Sequence, residues 1–267
     1  MSAAARRIAA VVEYDGTAYA GWQAQSHASS IQDLVQQAIA FVAGHAVEAV
    51  CAGRTDAGVH ALGQVIHFDT TAARSARAWV LGVNTKLPPD IALQWAGEVG
   101  NGFHARHSAI RRTYRYCILT SSARSALQRV RAAWVHRPLD AQAMQHAAQA
   151  LLGEHDFSAF RSKECQSKTA VRRIESIRVQ RDGDYVWLDI SANAYLHHMV
   201  RNIVGTLIDV QREADPAAAM AAILSGGNRR AAGATAPPCG LYLWQVDYHA
   251  EHRIAAPAHG LLLRPPG

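Results

Sequence analysis

The stretch at positions 51–69, CAGRTDAGVHALGQVIHFD, places polar residues in the middle of a segment that otherwise has the character of a buried sheet. Gly53 and Gly58 enclose the polar part and permit a tight turn with close approach of another backbone or a ligand. An ionised Asp56 beside Arg54 is expected between apolar strands only if it is exposed or paired. Taken alone, such an Asp more often caps a turn.

The sequence around this stretch alternates between strand-like and helix-like patterns. Helices are predicted over 31–43, capped by Ser30 and ended by Gly44, over about 140–152, ended by Gly153, and over 195–210. Strands are predicted for RIAAVVEY (7–14), VEAVCAG (47–53), GQVIHFD (63–69) and GLYLWQVDY (240–248), with a β-hairpin over 172–193. Because these elements do not alternate strictly, the fold class is predicted to be α+β with largely antiparallel sheet.

The predicted elements fall into two parts, with a boundary near residues 100–112. We expect an N-terminal α+β domain over 1–108 that carries Asp56, a C-terminal α+β domain over 109–250, and a tail over 251–267.

The predicted helix at 195–210 carries an arginine close to its apolar face. His197, Arg201 and Gly205 follow one another at one-turn spacing, and Gly205 leaves room for another segment to pack closely. An arginine so near the core is expected to bind a carboxylate. A structural salt bridge or an arginine that extends to solvent explains the same pattern equally well.

The bulk composition is that of a globular protein: 49% of the 267 residues are hydrophobic and 18% are charged. No apolar run reaches the length of a membrane helix. The N-terminal run IAAVV is too short for an export signal, so we expect a cytoplasmic protein. Cys51, Cys117, Cys165 and Cys239 form no CxxC pair, which predicts reduced, mostly buried thiols and neither zinc nor disulfides.

The charge distribution favours a nucleic-acid partner. Net charge is +6, and 24 of the 27 basic residues are arginine. No carboxylate occurs between Glu98 and Asp140, and a second basic run covers 161–181. The first of these segments holds Arg106, Arg111, Arg112, Arg115, Arg124, Arg129, Arg131 and Arg137. Arginine-rich segments with few acidic residues attract a phosphate backbone. An anionic membrane is the weaker alternative, because no basic amphipathic helix is evident.

The segment RRTYRYC (111–117) interleaves aromatic and basic residues. Tyr114 and Tyr116 are two residues apart, so on a strand they project to the same face. Such a pattern suits base stacking with phosphate contact, and it equally suits two tyrosines that pack on a core.

Together these stretches resemble the tRNA pseudouridine synthases of the TruA type over roughly residues 8–248. The matching segments are VEYDGTAYAGWQ, GRTDAGVHALGQVIHF, LPPDI, FHARHSA, RRTYRY, LLGEHDFSAFR, ANAYLHHMVRNIVGTL and GLYLWQVDY. The resemblance implies two related domains whose sheets join around a basic cleft. It also implies a homodimer that isomerises uridine to pseudouridine at positions 38–40 of the tRNA anticodon stem-loop, without cofactor or metal.

The resemblance also implies roles for individual residues. Asp56 corresponds to the essential carboxylate, Tyr114 to the residue against the target uracil, Arg201 to the partner of Asp56, and Arg54 to the residue linked with displacing the base. Hypotheses for further tRNA contacts are Arg74, Phe103, His104, Arg106, His107, Gln166, Ser167 and Lys168.

Two other functions compete with this one. A glycoside hydrolase normally needs two carboxylates across the bond, and the opening stretch offers only Asp69 besides Asp56. In a non-catalytic RNA-binding protein the same basic surface would occur with a purely structural Asp56.

Overall fold

The computed structural model describes residues 5–25 and 28–255, so most of the predicted tail lies outside the described residues. The strands are β1 (Arg6–Tyr14), β2 (Val50–Cys51), β3 (His60–Thr70), β4 (Ile91–Val99), β5 (Ala109–Thr120), β6 (Ala133–Val135), β7 (Gly153–Asp156), β8 (Val171–Asp182), β9 (Tyr185–Ala192) and β10 (Leu241–Tyr248). The helices are α1 (Ile31–Ala43), α2 (Ala76–Asn84), α3 (Ala141–Gln149), α4 (Met199–Val210) and α5 (Pro216–Gly226).

The described residues divide into two compact units, one of residues up to Ile110 together with 242–255, the other Arg111–Leu241. The division predicted from the sequence places 109–250 in one domain, whereas β10 from Tyr242 groups with the first unit, where it pairs with the start of β3. Each unit combines helices with mainly antiparallel strands, which confirms the α+β class.

In the first unit β1 lies between β3 and β4, antiparallel to both. β10 runs parallel to the start of β3, and β2 pairs antiparallel with β3 further along. α2 packs on β4 and on α1. The predicted limits of α1 are confirmed: the Ser30 side chain accepts from the Asp33 amide, and Gly44 ends the helix in the left-handed region with φ 77°.

In the second unit the strand order is β5-β9-β8-β7, all antiparallel, with β6 parallel to β5. The predicted hairpin is confirmed as β8 and β9, joined through Gly183 and Asp184. α3 packs on β8 and on α4 and α5. These helices bury Met144, Ile203, Leu207 and Met220, which form much of this unit's core.

Three predicted boundaries are wrong. The second predicted helix ends at Gln149, and Gly153 begins a strand instead of ending that helix. The segment at 47–53 contributes only the two residues of β2. The helix predicted from 195 begins at Met199, because His198 adopts a left-handed conformation with φ 62° and the backbone of His197 bonds to the distant Ser162 and Cys165.

The four cysteines have free thiols in this structure. The prediction that these thiols are mostly buried is wrong, because Cys117 is buried and the other three are half-buried. Among residues 5–25 and 28–255, no helix is long and apolar enough to cross a bilayer.

Candidate active site

The loop that carries Asp56 joins β2 to β3, and buried polar side chains form hydrogen bonds with it. The Thr55 hydroxyl lies 2.8 Å from the Tyr14 hydroxyl. The Gln64 side-chain amide donates to the Gly53 carbonyl at 2.6 Å. Asp56 is half-buried and its own carbonyl accepts the Val59 amide at 3.2 Å. Because the loop is fixed in this way, the position of the Asp56 carboxylate is set before any substrate binds. Arg54 in the same loop is exposed.

A second segment, around Gly21 and Trp22, lies directly against this loop. The Trp22 amide donates to the Thr55 carbonyl at 3.0 Å. Gly21 has φ 95°, and a Cβ built on it would lie 2.6 Å from the Thr55 carbonyl oxygen and 3.0 Å from the Asp56 carbonyl carbon. Only glycine combines this backbone conformation with so close an approach.

Tyr114 lies on β5 in the second unit and retains 8% exposure. The ring of Tyr195 meets it edge-on at a centroid distance of 5.0 Å. The Tyr195 hydroxyl donates to the Ile190 carbonyl at 2.8 Å, and burial raises its pKa well above the ordinary value. Tyr195 is therefore a neutral phenol whose ring packs against that of Tyr114.

Tyr116, two residues along β5, belongs to the core. It is fully buried and its hydroxyl donates to the Pro237 carbonyl at 2.7 Å. Burial raises its pKa well above the ordinary value. Of the two tyrosines in the alternating pattern, only Tyr114 keeps access to solvent.

Arg201 lies in the first turn of α4 and is anchored to the segment that precedes β10. Its Nε donates to the Ala236 carbonyl at 2.8 Å, and the Ala236 amide donates back to the Arg201 carbonyl at 3.1 Å. One turn further on, a Cβ built on Gly205 would lie 1.7 Å from the Ala234 carbonyl oxygen. The close approach predicted at Gly205 is confirmed, and the pairing of Arg201 with Asp56 stays a prediction.

The predicted tRNA contacts lie on three surface segments. Arg74 is exposed just before α2. In the turn between β4 and β5, Arg106 and His107 are exposed and His104 is half-buried, whereas Phe103 is only 1% exposed. Gln166 and Lys168 are exposed, and Ser167 accepts from Arg172 at 2.6 Å. The Phe103 ring therefore serves as an internal support for its turn.

Sequence reasoning missed the supporting residues of the site. Gln64 and Tyr195 both lie within the quoted motifs. Neither the sequence around Gln64 in β3 nor that around Tyr195 before α4 indicates which residue the side chain contacts. The Tyr195 hydroxyl also lies within hydrogen-bond distance, 3.1 Å, of the backbone carbonyl oxygen of Arg112, 83 residues away in the sequence.

The sequence profile of the tRNA pseudouridine synthase family matches residues 10–108 and 147–249. The chain belongs to the tRNA pseudouridine synthase family. The two matched parts include Asp56 and Arg201, whereas Tyr114 and the arginine-rich segment from 121 to 137 lie between them.

Three curated relatives that carry the name tRNA pseudouridine synthase A align with nearly the whole chain. One from Shewanella sp. (strain MR-4) is 50% identical over 256 residues, 96% of this chain and 98% of the relative. One from Aeromonas hydrophila subsp. hydrophila is 51% identical, covering 92% and 91%. One from Legionella pneumophila (strain Corby) is 50% identical, covering 98% and 97%.

A solved structure titled as a Cbf5-Nop10-Gar1 complex contains a chain that aligns with 89% of this chain and 58% of its own length. The sequence identity is 11% and the TM-score is 0.35. A likeness this weak supports no conclusion about the present fold or its activity.

Proposed function

We propose that this tRNA pseudouridine synthase modifies the anticodon stem-loop, at positions 38–40, and that Asp56 is its essential carboxylate. The observation that carries the catalytic assignment is the half-buried Asp56 on a loop fixed by Tyr14, Gln64 and Trp22. The target positions rest on the resemblance of the motifs. We further propose a cytoplasmic homodimer.

Pseudouridine formation breaks a C–N glycosidic bond, turns the uracil, and joins its C5 to the same sugar carbon. No atom is oxidised and no water enters the product, so one ionised carboxylate suffices to begin the reaction. Three routes start from this carboxylate: Asp56 attacks C1′, adds to the uracil ring, or takes the C2′ proton. In this proposal Arg201 pairs with the Asp56 carboxylate, and Tyr114 helps to accept the proton that leaves C5.

The target nucleotide must leave its stack before it reaches a half-buried carboxylate, at a cost of roughly a few kcal/mol. Arg54 is exposed two residues before Asp56. We assign it the role of filling the gap in the stem-loop, while Arg74 and the other surface segments hold the backbone.

The direct test is to incubate the purified protein with tRNA transcripts and map pseudouridine by carbodiimide labelling and primer extension. Transcripts that carry uridine only at 38, 39 or 40 are compared with one that has cytidine at all three. We expect product in the first set and none in the last. Pseudouridine confined to another arm of the tRNA would contradict the site assignment, and light scattering tests the dimer.

Gly21→Ala tests whether the support of the Asp56 loop matters. An alanine at this position adopts the positive φ at a conformational free-energy cost of about 1–2 kcal/mol. Its Cβ also displaces the Thr55 carbonyl. Since a displacement of about 1 Å costs up to about a hundredfold in rate, we expect kcat to fall at least about tenfold. Gly100→Ala is the matched control, because nothing lies within 4 Å of a Cβ at that position. Equal activity of the two variants would contradict the proposed role of the support.

The arginine-rich segment from 121 to 137 is expected to contribute to tRNA affinity. Arg124 and Arg129 are exposed, and the segment contains no carboxylate. In Arg124→Gln/Arg129→Gln we expect the slope of log affinity against log salt to fall by about 1–2, since each phosphate contact contributes roughly 0.7–0.9. Arg230→Gln, an exposed arginine outside the segment, serves as control. An unchanged slope in the double variant would exclude this segment from the contact surface.

A further inference from the structure

The turn of residues 103–107, here called the histidine turn, is held by side chains from several strands of the first unit. Arg7 on β1 donates from one Nη to the carbonyls of Asn101 and Phe103, at 2.8 Å each. The same guanidinium forms a two-point ion pair with Asp69, at 2.8 and 2.7 Å. The ring of Phe103 is buried below the turn. The start of the turn is therefore fixed to β1 and β3.

Ala105 lies at the centre of the turn, and side chains form hydrogen bonds with both its amide and its carbonyl. The Ala105 amide donates to Nδ1 of His67 on β3 at 3.1 Å. The Tyr248 hydroxyl on β10 donates to the Ala105 carbonyl at 2.7 Å. Ala105 is fully buried and His67 is 5% exposed. Because a buried amide without an acceptor is unfavourable, His67 determines which conformation the turn adopts.

His104 stabilises the turn by accepting hydrogen bonds from two of its backbone amides. Its Nδ1 accepts the amides of Arg106 and His107, at 3.2 Å each. Its ring lies 4.8 Å from the His67 ring and 4.2 Å from the His107 ring, measured between centroids. With the amides turned inward, the side chains of Arg106 and His107 point outward and are exposed.

Both acceptor histidines must be unprotonated at Nδ1 for these bonds to form. Burial, and then the charge of Arg7 and of His104, lowers the pKa of His67 to about 4, against a smaller opposing effect of Asp69. Burial, and then His107, Arg7 and Arg106, lowers the pKa of His104. Both rings are thus neutral acceptors at physiological pH.

We propose that His67 is a positioning residue for tRNA binding, which acts by holding the Ala105 amide so that Arg106 and His107 face the RNA backbone. The inference rests on the proposed function and extends it, because His67 itself is buried and touches no RNA. Loss of its acceptor frees the turn and lowers the population of the conformation that binds RNA. Such a loss raises KM for tRNA and leaves kcat nearly unchanged.

The test compares His67→Leu, which has no acceptor, with His67→Asn, whose Oδ1 lies near the position of Nδ1. We expect KM for tRNA to rise about tenfold in the leucine variant, with kcat within about twofold of wild type. The asparagine variant is expected to restore KM to within about threefold of wild type. Hydrogen exchange of the Ala105 amide is expected to accelerate only in the leucine variant. His45→Leu, a histidine that bonds Thr70 at 2.8 Å and not the turn, is the control.

A double-mutant cycle separates positioning from general stability. If the turn acts through Arg106, His67→Leu raises KM far less in the Arg106→Gln background than in the wild-type background. Additive effects, a wild-type KM in His67→Leu, or no rescue by asparagine would each overturn the proposal. Should His67→Leu fail to fold, Tyr248→Phe removes the hydrogen bond to the carbonyl of the same residue, Ala105, and is expected to raise KM about threefold. Absence of pseudouridine in the wild type would instead contradict the proposed function.

Discussion

Replacing Asp56 with asparagine is expected to lower kcat for pseudouridine formation by at least about a thousandfold. Asparagine keeps the size of the side chain and most of its hydrogen bonding, but its amide oxygen is neither a nucleophile nor a base. The loop itself is held by Thr55, Gly53 and Gln64, which the substitution leaves in place. The affinity for tRNA is therefore expected to stay within about threefold of wild type. Single-turnover assays with labelled tRNA measure the rate, and filter binding measures the affinity.

Asp69→Asn is the matched control within the same stretch. Asp69 is exposed and paired with Arg7, so its loss is expected to leave kcat unchanged while KM rises modestly through the histidine turn. A glycoside hydrolase would need both carboxylates and would release free uracil. A non-catalytic RNA-binding protein would form no pseudouridine, either as the wild type or as one of the two variants. Wild-type rates in Asp56→Asn would show that the central residue of the proposal is wrong.

Replacing Gly205 with alanine is expected to destabilise the second unit by at least about 3 kcal/mol. The new Cβ would lie 1.7 Å from the Ala234 carbonyl oxygen, which is backbone and can move only with its whole segment. That segment also carries the Ala236 carbonyl that anchors Arg201. We expect the Tm to fall by roughly 6–12 °C, and kcat of the remaining folded protein to fall as well.

Gly226→Ala is the matched control for this prediction, since it also changes a helical glycine. Nothing lies within 4 Å of a Cβ at Gly226, which ends α5, so the change is expected to be neutral or slightly stabilising. Calorimetry of both variants gives the comparison. A Tm of Gly205→Ala equal to that of Gly226→Ala would contradict the close packing between α4 and the segment before β10.

Much of the local structure was predictable because its causes lie within a few residues of one another. The limits of α1 follow from a serine that caps the first turn and a glycine that ends the last one. The β8–β9 hairpin follows from alternating residues on either side of a glycine turn. The loop that carries Asp56 was predictable as a motif, since an aspartate between two glycines is visible in the sequence. Its supports Gln64 and Gly21 were not predictable in this way.

The sequence by itself determined the α+β class, the family, and the candidate residues Asp56, Tyr114 and Arg201. It also determined the positions of the strands β1, β3, β8, β9 and β10. Only the tertiary structure decided where α4 begins, because His197 bonds to Ser162 and Cys165 more than 30 residues earlier. It also placed Phe103 in the core against Tyr248 and grouped β10 with the first unit. The physical reason is the same in each case: the deciding partner is remote along the chain, and local propensity carries no information about it.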